Sequence, residues 1–132
     1  MKRALVILLA TLVLAACKGE SPTDPAEPIG PRGRLSGVMT IGPHCPPPGN
    51  CPSTASDYAL RKIIVYNEAR TTRLFTLDID STGFFLIDLS IGRYLLELEG
   101  LPADRTRDLP RTVEIVPNVV TSVEVAVDTG IR

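Results

Sequence analysis

The sequence has no tryptophan, one histidine, three cysteines and only six aromatic residues, three Phe and three Tyr, in 132. So few rings leave little surface on which a glycan could stack. The lone histidine, His44, excludes a zinc-peptidase site, which needs two ligand histidines or a His–Glu pair beside a base. Fourteen basic residues face fifteen acidic ones and form no basic cluster or stripe, so nucleic acid is not an expected partner. The longest apolar run, Ala4 to Leu14, is too short to span a bilayer as a helix. No helical periodicity extends beyond a turn. The one candidate, Tyr58 to Lys62, continues into β-branched residues and is read as the start of a strand.

Lys2 and Arg3 ahead of the Ala4–Leu14 run have the order of a secretory signal peptide, expected over residues 1–16. The four residues Leu14-Ala15-Ala16-Cys17 that close it resemble a bacterial lipobox. That resemblance implies a lipoprotein cleaved before Cys17, with Cys17 as its lipid-bearing N-terminus. An ordinary secretory signal with a chance cysteine is the plainer alternative, and the cysteine's position at the end of the apolar run speaks against it. Lys18, in the place where an Asp would retain a lipoprotein of Gram-negative bacteria in the inner membrane, implies the outer membrane. Losing residues 1–16 removes Lys2 and Arg3 and leaves twelve basic against fifteen acidic residues, a net charge of −3. Membrane attachment then rests on acyl chains rather than on charge.

Residues 17–33 form the expected lipidated N-terminus and linker. Pro22, Pro25, Pro28 and Pro31 recur every third residue among small and charged neighbours. Such a segment cannot bury enough apolar surface to fold. Extended at about 3 Å per residue, it would hold a domain roughly 40–50 Å from the membrane.

Seven strands are expected in residues 34–132. The clearest are the two runs within Asp78–Leu98, where Phe85, Ile87 and Leu89, then Tyr94, Leu96 and Leu98, alternate with other residues. A period of two marks a strand with one face in a core. Two such runs joined at Ile91-Gly92 read as a hairpin. The others are Arg34–Ile41, Ala59–Asn67, Arg73–Ile79 with Phe75 and Leu77 as core residues, Thr112–Val116, and Val119–Val127 with Val119, Val123, Val125 and Val127 on one face. The fold class is all-β, a seven-stranded antiparallel β-sandwich.

The series Gly37-Val38-Met39, Asp80-Ser81-Thr82-Gly83-Phe84-Phe85 and Leu89-Ser90-Ile91-Gly92-Arg93-Tyr94 resembles the carboxypeptidase regulatory-like domain, which has a transthyretin-like (prealbumin-like) sandwich. The resemblance covers about Arg34 to Asp128. It implies that Phe85 and Tyr94 form a core aromatic pair. It carries no catalytic residues onto this chain, and no peptidase module is present.

Between the first two strands the chain inserts Gly42–Asp57. Cys45 and Cys51 bracket Pro46, Pro47, Pro48, Gly49 and Asn50. Export and the consumption of Cys17 leave these two to pair as a disulfide. His44 with Pro46, Pro47 and Pro48 is the candidate binding surface, because recognition concentrates on loops carried by a rigid scaffold. The resulting expectation is a non-enzymatic binding or structural module of the cell envelope, without cofactor or metal, held to the membrane by lipid and contacting a protein partner. Two alternatives stay open. One is a hydrolase or metal-binding protein centred on His44 and the Cys45–Cys51 loop, and the other is a carrier of a small apolar ligand. Asp78, Asp80, Thr82 and Gly83 resemble the start of a calcium loop, but its twelfth position is Leu89, and a turn accounts for the same residues.

Overall fold

A computed structural model describes residues 30–132. The expected signal peptide over residues 1–16, Cys17 and the expected linker up to residue 29 lie outside the described residues. Seven strands and one short helix follow in order: β1 (Arg32–Gly42), α1 (Ala55–Ala59), β2 (Lys62–Asn67), β3 (Arg73–Asp78), β4 (Phe84–Ser90), β5 (Gly92–Glu99), β6 (Arg111–Ile115) and β7 (Val120–Asp128). They form a three-stranded sheet, β4-β1-β7, and a four-stranded sheet, β3-β2-β5-β6. Their apolar faces meet in a sandwich, as the period-two runs require.

The alternation sets the core directly. In β1, Leu35, Met39 and Ile41 turn inward while Arg34, Val38 and Thr40 turn out. Leu35, Met39, Ile63, Val65, Phe85, Leu89, Leu96, Ile115 and Val125 are fully buried. Each such side chain contributes about 1.5–3 kcal/mol. Phe85 fits because its cross-strand partner is Gly37, where a Cβ would lie 2.1 Å from the ring's Cζ. The ring therefore occupies the place of a side chain at position 37.

Several expectations are corrected. The runs within Asp78–Leu98 are strands but not a hairpin. β4 pairs with β1, whereas β5 lies between β2 and β6 in the other sheet. The Ile91-Gly92 connection is a corner between sheets: the Ile91 N–H bonds Pro31 O at 3.3 Å, and Gly92 has φ +149°. Four ladders are antiparallel, but β1 and β7 run parallel over Arg34–Gly42 and Val120–Asp128. The helical turn is Ala55–Ala59 rather than Tyr58–Lys62, and β2 begins at Lys62 rather than Ala59. β1 begins at Arg32, inside the stretch read as linker. Leu77 is buried, but Phe75 on the same face is 44% exposed. Val119 is exposed, whereas Val123, Val125 and Val127 are core. Phe85 is buried while Tyr94 is only half-buried, its hydroxyl donating to Ser90 O at 2.9 Å.

The calcium-like residues make a turn. Asp80 Oδ1 accepts from the Thr82 N–H at 2.8 Å, the Thr82 hydroxyl at 2.6 Å and the Phe84 N–H at 3.0 Å. These bonds, the Thr82 hydroxyl first, hold the Asp80 carboxyl below its usual range. Asp78 is paired with Lys62. Outside the larger sheet, Arg73 meets Glu99 at 2.9 Å and Arg70 meets Glu97. Exposed pairs of this kind stabilise by about 1 kcal/mol at most.

Candidate functional site

β1 has eleven residues and spans roughly 35 Å. The chain arrives at one end of it, beside the Ile91 corner and the β6–β7 turn, where the Asn118 N–H donates to Arg32 O at 2.9 Å. At the other end β1 runs into the 42–57 insertion. The Thr129 N–H and hydroxyl hold that junction through Gly42 O, at 3.2 Å, and Pro43 O. The cysteine loop therefore lies at the far pole of the sandwich from the start of the domain.

Cys45 and Cys51 are joined by a disulfide, with Cα atoms 5.8 Å apart. The Gly49 N–H turns back to Pro46 O at 3.0 Å, and a Cβ on Gly49 would lie 2.7 Å from Cys45 Sγ. Only glycine lets so small a ring close. Pro46, Pro47 and Pro48 are exposed. With φ fixed in each, they offer a stiff apolar surface that loses little freedom on binding.

His44 sits beneath this loop rather than on its surface, with 14% of its side chain exposed. Its Nε2 lies 3.0 Å from Ile41 O and 2.9 Å from Ser53 Oγ, and the Ser53 hydroxyl donates to Ile41 O at 3.0 Å. A carbonyl only accepts, so Nε2 carries a proton. The three groups tie together both ends of the insertion. Asp57 lies beyond, 3.8 Å from His44 Nδ1, with its other oxygen accepting from the Thr54 N–H and hydroxyl, each at 2.7 Å. The Thr54 hydroxyl, then the Thr54 N–H, hold the Asp57 carboxyl below its usual range.

Ser53, His44 and Asp57 have the residue types of a hydrolytic triad, but their protons run the other way. A general base must present an unprotonated nitrogen to the serine. Here the Ser53 hydroxyl donates to Ile41 O, and Nε2 can bond that same carbonyl only as a donor, in the tautomer that carries its proton there. The arrangement is a latch. The metal alternative would require thiolates, and both sulfurs are bonded to each other.

A buried ion pair stands beside the latch. Arg61 Nε and Nη2 donate to the two Asp104 oxygens at 2.8 Å each, and Nη1 donates to Asp57 O at 2.6 Å. Their side chains are 2% and 3% exposed. Asp104 also accepts from the Leu101 N–H at 2.8 Å. The pair fastens the β5–β6 loop to α1. That loop and the β7 edge bound an open groove of about 690 Å³, lined by Thr40, Arg105, Arg107, Asp108 and Asp128 among others. The groove is mixed in charge and lies outside the sandwich, whereas an apolar carrier would hold its cargo between the sheets. That interior is filled by the core side chains.

Replacing Cys45 and Cys51 by serine is expected to cost about 2–3 kcal/mol, read as a lowered denaturation midpoint. Mass spectrometry should find two alkylatable thiols in this loop only after reduction.

No family model matches the chain, and no curated protein matches it. By structure it is similar to the minor pilin of the Gram-positive pathogen Streptococcus agalactiae, with 17% identity and a TM-score of 0.55 over 75% of this chain and 45% of that one. It is also similar to DUF3823 family proteins. The one from Parabacteroides merdae has 17% identity and a TM-score of 0.45, over 74% of this chain and 46% of that one. The one from Bacteroides ovatus has 14% identity and a TM-score of 0.47, over 72% and 44%. This chain thus spans less than half the length of each. At such identities the likeness concerns the fold, a β-sandwich.

Proposed function

We propose that this chain is a non-catalytic binding or structural module of the cell envelope, a lipoprotein held by acyl groups on Cys17. Its domain is a carboxypeptidase regulatory-like sandwich, and its recognition surface is the rigid loop of Pro46, Pro47 and Pro48. The observation that carries this reading is polarity. The domain begins at one end of β1, and the disulfide-closed loop stands at the other. A chain fixed at its N-terminus would present that loop outward, at the end of a proline-rich spacer. His44 then serves recognition indirectly, by holding the loop in shape. The outer membrane of a Gram-negative cell is the location that Lys18 suggests, and a protein of the envelope is the partner class.

The module reading is favoured over a hydrolase because the latch consumes the one histidine as a donor. Growth with labelled palmitate tests the anchor. The wild type should take up label, and Cys17→Ser should remain unlabelled and unprocessed. Equal labelling of both would overturn it. A photocrosslinker at Pro47 tests the surface: adducts should form in cells there, and not at Asn118 on the opposite pole.

A further inference from the structure

The four edge strands of this sandwich are not equally guarded. On β7 the Ala126 N–H is taken by the Asp108 carboxylate at 2.8 Å, and Asp128 N and O are both bonded to Arg105 at 2.8 Å. β6 is five residues long and flanked by Pro110 and Pro117. β3 meets its neighbour through a bulge at Val65/Tyr66. Bulges, prolines, short length and covering loops are the means by which sheets keep edges from pairing. Along its seven residues β4 has no bulge, proline or covering loop; its one charge, Asp88, is paired with Arg34 of β1, and only at Phe84 are the outward backbone groups taken.

The register shows what β4 leaves open. The Met39 N–H bonds Gly83 O at 2.7 Å, so the odd-numbered residues of β4 face β1. The N–H and C=O of Leu86 and Asp88 therefore point away from the sheet. Phe84 also points out, but its N–H and C=O are both bonded to Asp80. Across the sandwich, β3 carries Phe75 on the inner face. Its Cα partner Val65 is fully buried, while Phe75 itself is 44% exposed. The reason is a mismatch in width, three strands against four. Phe75 and Ile87 stand at similar distances along the chain on either side of the Asp80–Gly83 turn, so Phe75 borders the place where a further strand beside β4 would lie.

We propose that the free edge of β4 accepts an extended segment of a partner protein as the fourth strand of the smaller sheet. The segment would pair with Leu86 and Asp88 through its backbone. On one side it would lay apolar residues over Phe75 and Ile87, and on the other beside Leu86, which is 47% exposed. Asp80, at the upper end of this edge, has no cationic partner among the described residues and favours a basic residue there.

The chain's own linker does not suit the place. It arrives at the Ser90 end of β4, but Pro22, Pro25 and Pro28 remove the donors a strand needs. A second copy suits it no better. The inward side of its β4 is committed to its own core, so Phe75 would stay uncovered. The site is separate from the proline loop and stands or falls independently of it.

The test uses dye-labelled seven-residue peptides of alternating valine and threonine with a terminal lysine, and scrambled peptides of the same composition. Each is titrated by fluorescence anisotropy against the purified exported chain. An alternating peptide should bind at least about tenfold more tightly than its scrambled form, and binding should slow hydrogen exchange in β4. Leu86→Pro removes an outward N–H together with the apolar side chain that the segment would lie beside, and should abolish binding with a native melting curve. Phe75→Ala, which leaves the edge intact, should weaken binding several-fold. Equal affinity for scrambled peptides would overturn the proposal, as would unchanged binding by folded Leu86→Pro. So would a β4 edge already protected in a dimer seen by sedimentation.

Discussion

Asp104→Ala will destabilise the domain by about 3–5 kcal/mol, a large share of the stability of a domain this size. The substitution leaves the Arg61 guanidinium at 2% exposure with Asp57 O as its one remaining partner. Nothing in the core can replace the two bonds lost to the carboxylate. Arg61→Met should cost a similar amount, because Asp104 would keep only the Leu101 N–H. The pair as a whole is a different matter. Two charges taken from water lose about as much solvation as they regain by attraction. Arg61→Met with Asp104→Leu should therefore recover most of the loss, short of the bonds to Asp57 O and Leu101 N. Urea denaturation of the wild type, Arg61→Met, Asp104→Leu and the double variant measures this. Additive losses in the double variant would mean that the two side chains act independently, against the geometry.

The second large effect lies at the contact of Phe85 with Gly37. Phe85→Ala should cost about 3–5 kcal/mol through lost burial and the cavity it leaves. Gly37→Ala should cost about 1–3 kcal/mol or more, since a methyl 2.1 Å from Cζ forces the ring out of place. Combining Gly37→Ala with Phe85→Leu should cost less than the sum, because a smaller side chain gives the methyl room. Thermal melts of Gly37→Ala, Phe85→Leu and the double variant settle the coupling. A Phe85→Ala melting point within a degree or two of wild type would mean the ring is not seated in the core.

Both contacts show how far the sequence could be read. Phe85 was legible because it sits on the beat of a period-two run, and alternation is a local property. Arg61 and Asp104 are 43 residues apart, one on a turn and one in a loop, and no local pattern links them. The strand runs either side of Ile91-Gly92 were legible for the same reason as Phe85, but their pairing was not. A hairpin and a corner between sheets have the same alternation and the same glycine. Only the competition of β1, β2 and β6 for edges decides between them. Phe75 obeys the alternation yet stays 44% exposed, because burial also depends on the width of the opposing sheet. Within the insertion, the prolines and cysteines marked a stiff closed loop, whereas the role of His44 depended on Ile41 and Ser53 folding to either side of it.

The parallel pairing of β1 with β7 has a mechanical consequence. The described chain begins at one end of β1 and finishes just beyond the opposite end of β7. Tension between those ends slides two parallel strands along each other instead of peeling them apart. In that direction the hydrogen bonds from Arg34 to Gly42 share the load and must fail together, while β4 grips β1 from its other side. A domain strung between a fixed N-terminus and a bound far pole would thus be pulled along its most resistant axis. Single-molecule stretching by the two ends should give one high-force rupture, and stretching through β5 and β6 a lower one.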